Sequence, residues 1–288
     1  MIAHVAEAGE GRGRVVLHLT DARPSPVAIE AAMRVAQAFQ SELESLFVED
    51  VAMLDIAGLP FVREISLCGR HSRALSPEIV ERQMRAAASA MAQRLGKLAL
   101  AAEVPLHMTI VRDEPVRALA TACAERGPWN VVALAAPLSG IEGAALGRLF
   151  AAVPDTTGLI VVGPSARRAQ GRIVALVEDI GHFEAVLATA RRIRAVSGEE
   201  RLTLLLVAES DDEAQTMDEQ VRLVIGDDDG IEIVRARVAP NAPGMAAELI
   251  RRLNAGFIIA RLGPLVVPPD GDPRPLSAVL QCPLFLIR

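Results

Sequence analysis

The chemistry-bearing residues of this 288-residue chain are few and scattered. Cys68 and His71 have the Cys-x2-His spacing of half a metal site, but no second pair stands near them, so they read as an incidental loop pair. Asp227-Asp228-Asp229 could gather calcium, yet the ligand pattern of a calcium loop is missing and the run reads as a solvated turn. Ser139-Gly140 lacks the Gly-x-Ser-x-Gly elbow that exposes a nucleophile. Gly9, Gly11 and Gly13 precede an apolar run instead of following one, which makes a flexible tail and not a dinucleotide fingerprint. His18 falls mid-strand and reads as a buried, satisfied histidine. Cys123 and Cys282 read as small core residues. Asp21 and Asp179 each follow an apolar run, at matching places in the chain.

Those aspartates need a frame. Arg14–Thr20 is a short apolar run, the mark of a strand covered on both faces. Ser25-Pro26 then supplies an N-cap and a first-turn proline, and Ile29, Met33 and Ala36 carry a helix to about Gln40. Leu43–Val48 is the next strand. Ser76-Pro77 opens a helix to about Ala102, with Val80, Met84, Ala87, Met91, Leu95 and Leu98 on one face. Leu106–Val111, Val131–Ala135 and Leu159–Val162 are further strands, separated by helices at Pro115–Arg126 and Ala144–Ala152. Strands separated by helices need crossovers, hence a mainly parallel sheet.

After Gly163–Gly171 the pattern starts again. Arg172–Val177 matches Arg14–Leu19 at an offset of 158, which sets Asp179 on Asp21, and Val207 matches Val48 at 159. From the third strand the offset is 125, pairing Leu106 with Ile231, Val131 with Gly256 and Leu159 with Leu284. The chain thus reads as an internal duplication. Residues 1–13 are a tail, 14–162 a first domain, 163–171 a linker and 172–288 a second, shorter domain. The length difference lies in an insertion at 49–75, too apolar for a free loop. It is expected to form a short helix plus an extended piece that covers exposed core or, alternatively, serves as a lid over the cleft or a partner surface. Leu54, Ile56, Leu59, Phe61 and Ile65 would then be mostly buried against the first domain's own cleft or a partner.

A strand ending Thr20-Asp21, a helix, and a strand ending Phe47-Val48-Glu49 together resemble the universal stress protein family. The closing run Val279–Ile287, with Cys282-Pro283 before the last strand, is similar to that family's C-terminus. The resemblance covers both halves, so the chain looks like a tandem universal stress protein. It implies two repeated open five-stranded parallel sheets, of strand order 3-2-1-4-5, with helices on both faces. It also implies an internal pseudo-dimer, since single-domain members commonly pair through their last strands. Where members of the family bind ATP, an aspartate after the first strand meets adenine, which would be Asp21 or Asp179. A free backbone amide near the end of the second strand would lie near Val48. A Gly-x2-Gly-x9-Gly-Ser/Thr loop after the fourth strand cradles phosphates through backbone amides and a helix N-terminus. Gly140 and Gly143 match its first pair, but Gly147 follows too soon and Arg148 replaces the hydroxyl. In the other register Ala136 and Ser139 take the glycine positions, and Glu142 would repel phosphate. The second half replaces the loop with prolines and the acids Asp270 and Asp272. If ATP or another adenine nucleotide binds, the first half is the place for it. A degenerate site or one for a different ligand is the leading reading there, and no stoichiometric ATP is expected. No cofactor is required.

Composition narrows the class. A net charge of −6, one Trp and no Tyr argue against nucleic acid, which needs a basic face and stacking aromatics. Three cysteines fit a reducing cytoplasm, and no apolar run reaches the ~20 residues that span a bilayer. The N-terminus lacks the apolar core of a signal peptide. Beside the glycine loop stands no metal-binding carboxylate pair or general base, which disfavours an ATP hydrolase. The expected function is a non-catalytic, stress-related binding or signalling protein with a small-molecule or protein partner, and a homodimer of the whole chain is open. The alternative is a ligand-free interaction scaffold.

Overall fold

The computed structural model describes residues 13–19, 25–66, 68, 71–125, 130–134, 151, 153, 156–199, 201–226, 228–238, 243–263, 265–267 and 274–288. In the first half, β1 (Arg14–Leu19), α1 (Pro26–Ala38) and β2 (Glu42–Asp50) are followed by α2 (Val51–Ala57) and the short strands β3 (Arg63–Ile65) and β4 (Ser72–Ala74). Then come α3 (Pro77–Ala101), β5 (Leu106–Asp113), α4 (Pro115–Glu125), β6 (Asn130–Leu134) and β7 (Thr156–Val161). The second half contributes β8 (Ile173–Val177), α5 (Phe183–Ser197), β9 (Leu202–Ala208), α6 (Asp211–Ile225) and β10 (Ile231–Arg237). It ends with α7 (Pro243–Arg252), β11 (Phe257–Arg261), α8 (Arg274–Val279) and β12 (Leu284–Ile287).

The continuous apolar runs become strands covered on both faces: every residue of β1, β8 and β9 is buried. Both Ser-Pro starts open helices. Ser76 also caps α3 by accepting from the Ile79 N–H. Ten of the twelve described strands form one sheet of order β10-β9-β8-β11-β12-β7-β6-β1-β2-β5, and β3 and β4 pair separately. Each half contributes its strands in the order 3-2-1-4-5, parallel throughout.

Two separate five-stranded sheets were the expectation, and here the structure corrects it. A sheet ending at β7 or β12 would leave apolar backbone unpaired, so the two strands pair antiparallel and close both edges. Ile160 faces Phe285 across the junction, and the offset of 125 makes these two equivalent residues. The halves thus meet about a local twofold. Register corrects a second detail: Val15 pairs with Val131 while Ile173 pairs with Phe257, so Val131 matches Phe257 and not Gly256. A one-residue difference in a connecting loop leaves the apolar pattern unchanged, which is why composition missed it.

One apolar core lies between the sheet and α1, α3, α5 and α6, and another lies on the side of α4 and α8; both run across the two halves. At the centre α1 packs against α5. Arg34 of α1 lies 5.8 Å from the ring centre of Phe257, and Arg192 of α5 lies 5.4 Å from that of Phe39. The offset of 158 equates these arginines, so each half reaches over an aromatic ring of the other. The segment 163–171 is tied down: the Arg167 and Arg168 amides donate to the Gln281 carbonyl at 2.9 and 3.3 Å, and Ala169 is buried.

The insertion does form a helix plus an extended piece: α2, capped by Asp50, and the β3–β4 hairpin. Within the chain its apolar residues are not mostly buried, so the first domain's own cleft does not cover them. Phe61 is 76% exposed and Ile65 66%, with Ile56 and Leu59 also exposed.

Candidate functional site

In an order of 3-2-1-4-5 the connections after the first and fourth strands leave to opposite faces of the sheet. Their divergence opens a crevice at the strands' C-terminal ends. In the second half β8 leads to α5 on one face and β11 leads to α8 on the other. Between them lies a cleft of about 180 Å³, lined by Leu176, Glu178, Asp179, His182, Arg261 and Gly263 among others. That is below the ~300 Å³ at which small-molecule pockets usually begin.

Asp179 sits where the repeat placed it, at the end of its first strand, but both its oxygens are engaged locally. Oδ1 accepts the Gly181 N–H at 2.8 Å, capping a single 3₁₀ turn, and Oδ2 lies 2.6 Å from His182 Nδ1. Glu178, one residue earlier, turns into the loop after β11. Its Oε2 accepts the Leu265 N–H at 2.7 Å and its Oε1 accepts the Val266 N–H at 3.1 Å. The loop is a tight turn in which the Gly263 N–H donates to the Val267 carbonyl at 3.0 Å. A Cβ on Gly263 would come within 2.6 Å of Glu178 Oε2, so a larger residue would push the carboxylate from this position. Burial pushes the Glu178 carboxyl up from its ordinary range, and the two N–H donors oppose that shift. Backbone amides that follow the fourth strand and point at one spot form an anion cradle. Here the chain's own carboxylate fills it.

Sequence reasoning missed Glu178. The signal lay in the repeat: at the offset of 158 Glu178 falls on Thr20 and Leu176 falls on His18. The two halves therefore carry different residues at these positions.

Of the residues read as a nucleotide site in the first half, Asp21, Ser139, Gly140, Gly143 and Gly147 lie outside the described residues. Val48 is fully buried in β2, opposite Val111 of β5, on the side of the core that contains Leu119 of α4. His18, near the end of β1, is buried as read, but its Nε2 has no partner among the described residues. Burial pushes its pKa down to about 4, so the ring is neutral at pH 7. Cys68 is exposed and its Sγ lies 3.3 Å from Ser66 Oγ, and no cluster of three metal-ligating side chains occurs among the described residues. Cys123 and Cys282 are buried, the thiol of Cys282 pushed up to about 12 by its surroundings.

No helix among the described residues is long and apolar enough to cross a membrane. No family model matches the sequence, and no curated protein matches it. Solved structures do. A universal stress protein from Archaeoglobus fulgidus superposes with a TM-score of 0.57 at 15% identity, covering 95% of this chain and 96% of its own. A candidate universal stress protein from Pseudomonas aeruginosa gives 0.56 at 15% identity, covering 96% and 93%. The cytoplasmic domain of a prokaryotic cation chloride cotransporter gives 0.52 at 11% identity, covering 96% and 95%. At these identities the likeness is one of fold. The chain has the universal stress protein fold over nearly its whole length, and the same fold serves a transporter's domain.

Proposed function

We propose that this chain is a tandem universal stress protein, acting without catalysis as a stress-related binding or signalling protein of the cytoplasm. The repeated 3-2-1-4-5 order joined through its last strands supports that reading, because it makes the two halves an internal pseudo-dimer. The halves have divided their roles. The second is closed to phosphate, since an anion entering its loop would have to displace Glu178 from the Leu265 and Val266 amides and meet a negative charge. The first has Thr20 at that position, so ligand binding belongs to it, with Asp21 facing an adenine amino group and Gly140–Gly143 the phosphates. The degenerate glycine spacing keeps affinity low, and the protein needs no resident cofactor.

The ultraviolet spectrum tests this directly. With Trp129 as its sole Trp and no Tyr, the protein absorbs weakly near 280 nm, so bound adenine would dominate. Protein purified without added nucleotide should show no adenine band after dialysis. In an ATP titration Asp21→Ala should lose whatever binding the parent shows, and Asp179→Ala should keep it. Loss on Asp179→Ala alone would place the site in the second half and overturn the assignment, and an adenine band that survives dialysis would overturn the weak-binding reading.

A further inference from the structure

Pairing through β7 and β12 removes the inner edges of the sheet and leaves two outer ones, β5 and β10. They are equivalent strands, and they are finished differently. The Leu43 N–H donates to the Pro105 carbonyl, so along β5 the odd-numbered residues turn their backbone toward β2. Leu106, Met108, Ile110 and Arg112 turn theirs to the open edge. On that edge Met108 is 41% and Ile110 56% exposed. At the equivalent places β10 carries Ile233 and Arg235, followed by Arg237 where β5 has Arg112. Arginines on an outer strand are the ordinary way to keep it from pairing. The β5 edge has no such guard between Leu106 and Val111.

We propose that β5 is a dimer surface on which a second copy of this chain docks, β5 against β5, antiparallel, extending the sheet. The sequence is self-complementary in that register. With Thr109 opposite its own copy on the axis, Met108 lies opposite Ile110 of the second molecule and Ile110 opposite its Met108. His107 lies opposite Val111, Leu106 opposite Arg112, and no two like charges meet. Met108 and Ile110 share the sheet face on which Leu106 joins the core and Arg112 pairs with Glu81 of α3. Pairing therefore buries the exposed apolar rows against each other. The same register on β10 would set Ile233 against Arg235 and crowd four arginines onto one face. That contrast makes the interface twofold and specific to the first half.

Light scattering on the full chain should give the mass of a dimer. Ile110→Arg, which copies the guard of the other edge, should give a monomer with an unchanged circular dichroism spectrum and melting curve. Ile233→Arg on β10 should remain dimeric. Thr109→Cys in a Cys68→Ser background should form a covalent dimer under mild oxidation, because non-hydrogen-bonded partners lie about 4.5 Å apart at Cα, within disulfide reach. A monomeric parent protein at micromolar concentration would overturn the proposal, as it would if the edge served an extended peptide of another protein. So would a dimer indifferent to Ile110→Arg, or a Thr109→Cys variant that fails to cross-link.

Discussion

At the base of the first half, Arg14 lies under α4 with 3% of its side chain exposed, and it is tied in from several sides. Its guanidinium bonds Glu44 and the Ala122 carbonyl, and its Nε donates to Asn130 Oδ1 at 3.1 Å. Thr109 donates to the same glutamate at 2.9 Å, and Asn130 Nδ2 donates to the Cys123 carbonyl at 3.0 Å. The equivalent Arg172 is 37% exposed and pairs at 2.9 Å with Glu232, which is 47% exposed. Thr203 stands where Glu44 would be, and Gly256 where Asn130 would be. One strand order thus accommodates a buried ionic network in one half and a surface pair in the other. What differs is the cost of breaking them. A buried charge that loses its partner cannot recover its hydration, whereas a surface charge recovers it at once.

The contrast is sharpest in a pair of truncations. Glu44→Ala should destabilise the protein by about 3–5 kcal/mol, since it strands Arg14 in the interior. Glu232→Ala should cost less than about 1 kcal/mol. Urea denaturation of both variants measures the difference, and equal losses would mean that the Arg14 network is solvated after all.

A second difference between the halves titrates. His18 is buried and its pKa is pushed down to about 4, while the second half has Leu176 at that position. The unfolded chain takes up a proton near pH 6.5, and the folded one resists until about 4. Stability from this group is therefore full above pH 6.5 and is lost as pH falls through that window, by an amount on the order of 3 kcal/mol. His18→Leu should flatten the pH dependence of the unfolding midpoint across that window. It should also leave the protein no less stable at pH 7, because it removes a buried nitrogen that has no partner among the described residues. A slope unchanged by His18→Leu would assign the titration to other groups.

The halves were legible in the sequence because each is built from apolar runs separated by capped helices, and local periodicity records both. The strand order within each half followed from the family resemblance. What joins the halves was not legible as one sheet: β7 and β12 read as two last strands, and nothing local in Leu159–Val162 says that its neighbour lies 125 residues away. The insertion failed for a related reason. Phe61 and Ile65 have core composition, yet a segment's own pattern does not say whether a neighbour remains to cover it. At the crevice, Asp179 was visible as a strand-ending acid. Glu178 was not, because its role depends on amides contributed by Leu265 and Val266, far along the chain.

The smallest expected effect probes the junction itself. Arg34 and Arg192 are equivalent, but Arg34 is buried and its guanidinium also donates to the Ala169 carbonyl, while Arg192 is half-buried and rests on the Phe39 ring. Arg34→Ala removes a cation over Phe257 and leaves a carbonyl without its donor, a loss of about 1–3 kcal/mol. Arg192→Ala removes only the ring contact, worth about 0.5–1 kcal/mol at a partly exposed site. Crossing Arg192→Ala with Phe39→Leu isolates that contact. Because Arg192 and Phe39 belong to different halves, a coupling energy in the double-mutant cycle measures how tightly α1 and α5 hold the halves together. Additive losses would mean that Arg192 lies over the Phe39 ring without contributing to the joint, which would then rest on the sheet junction and the shared apolar cores.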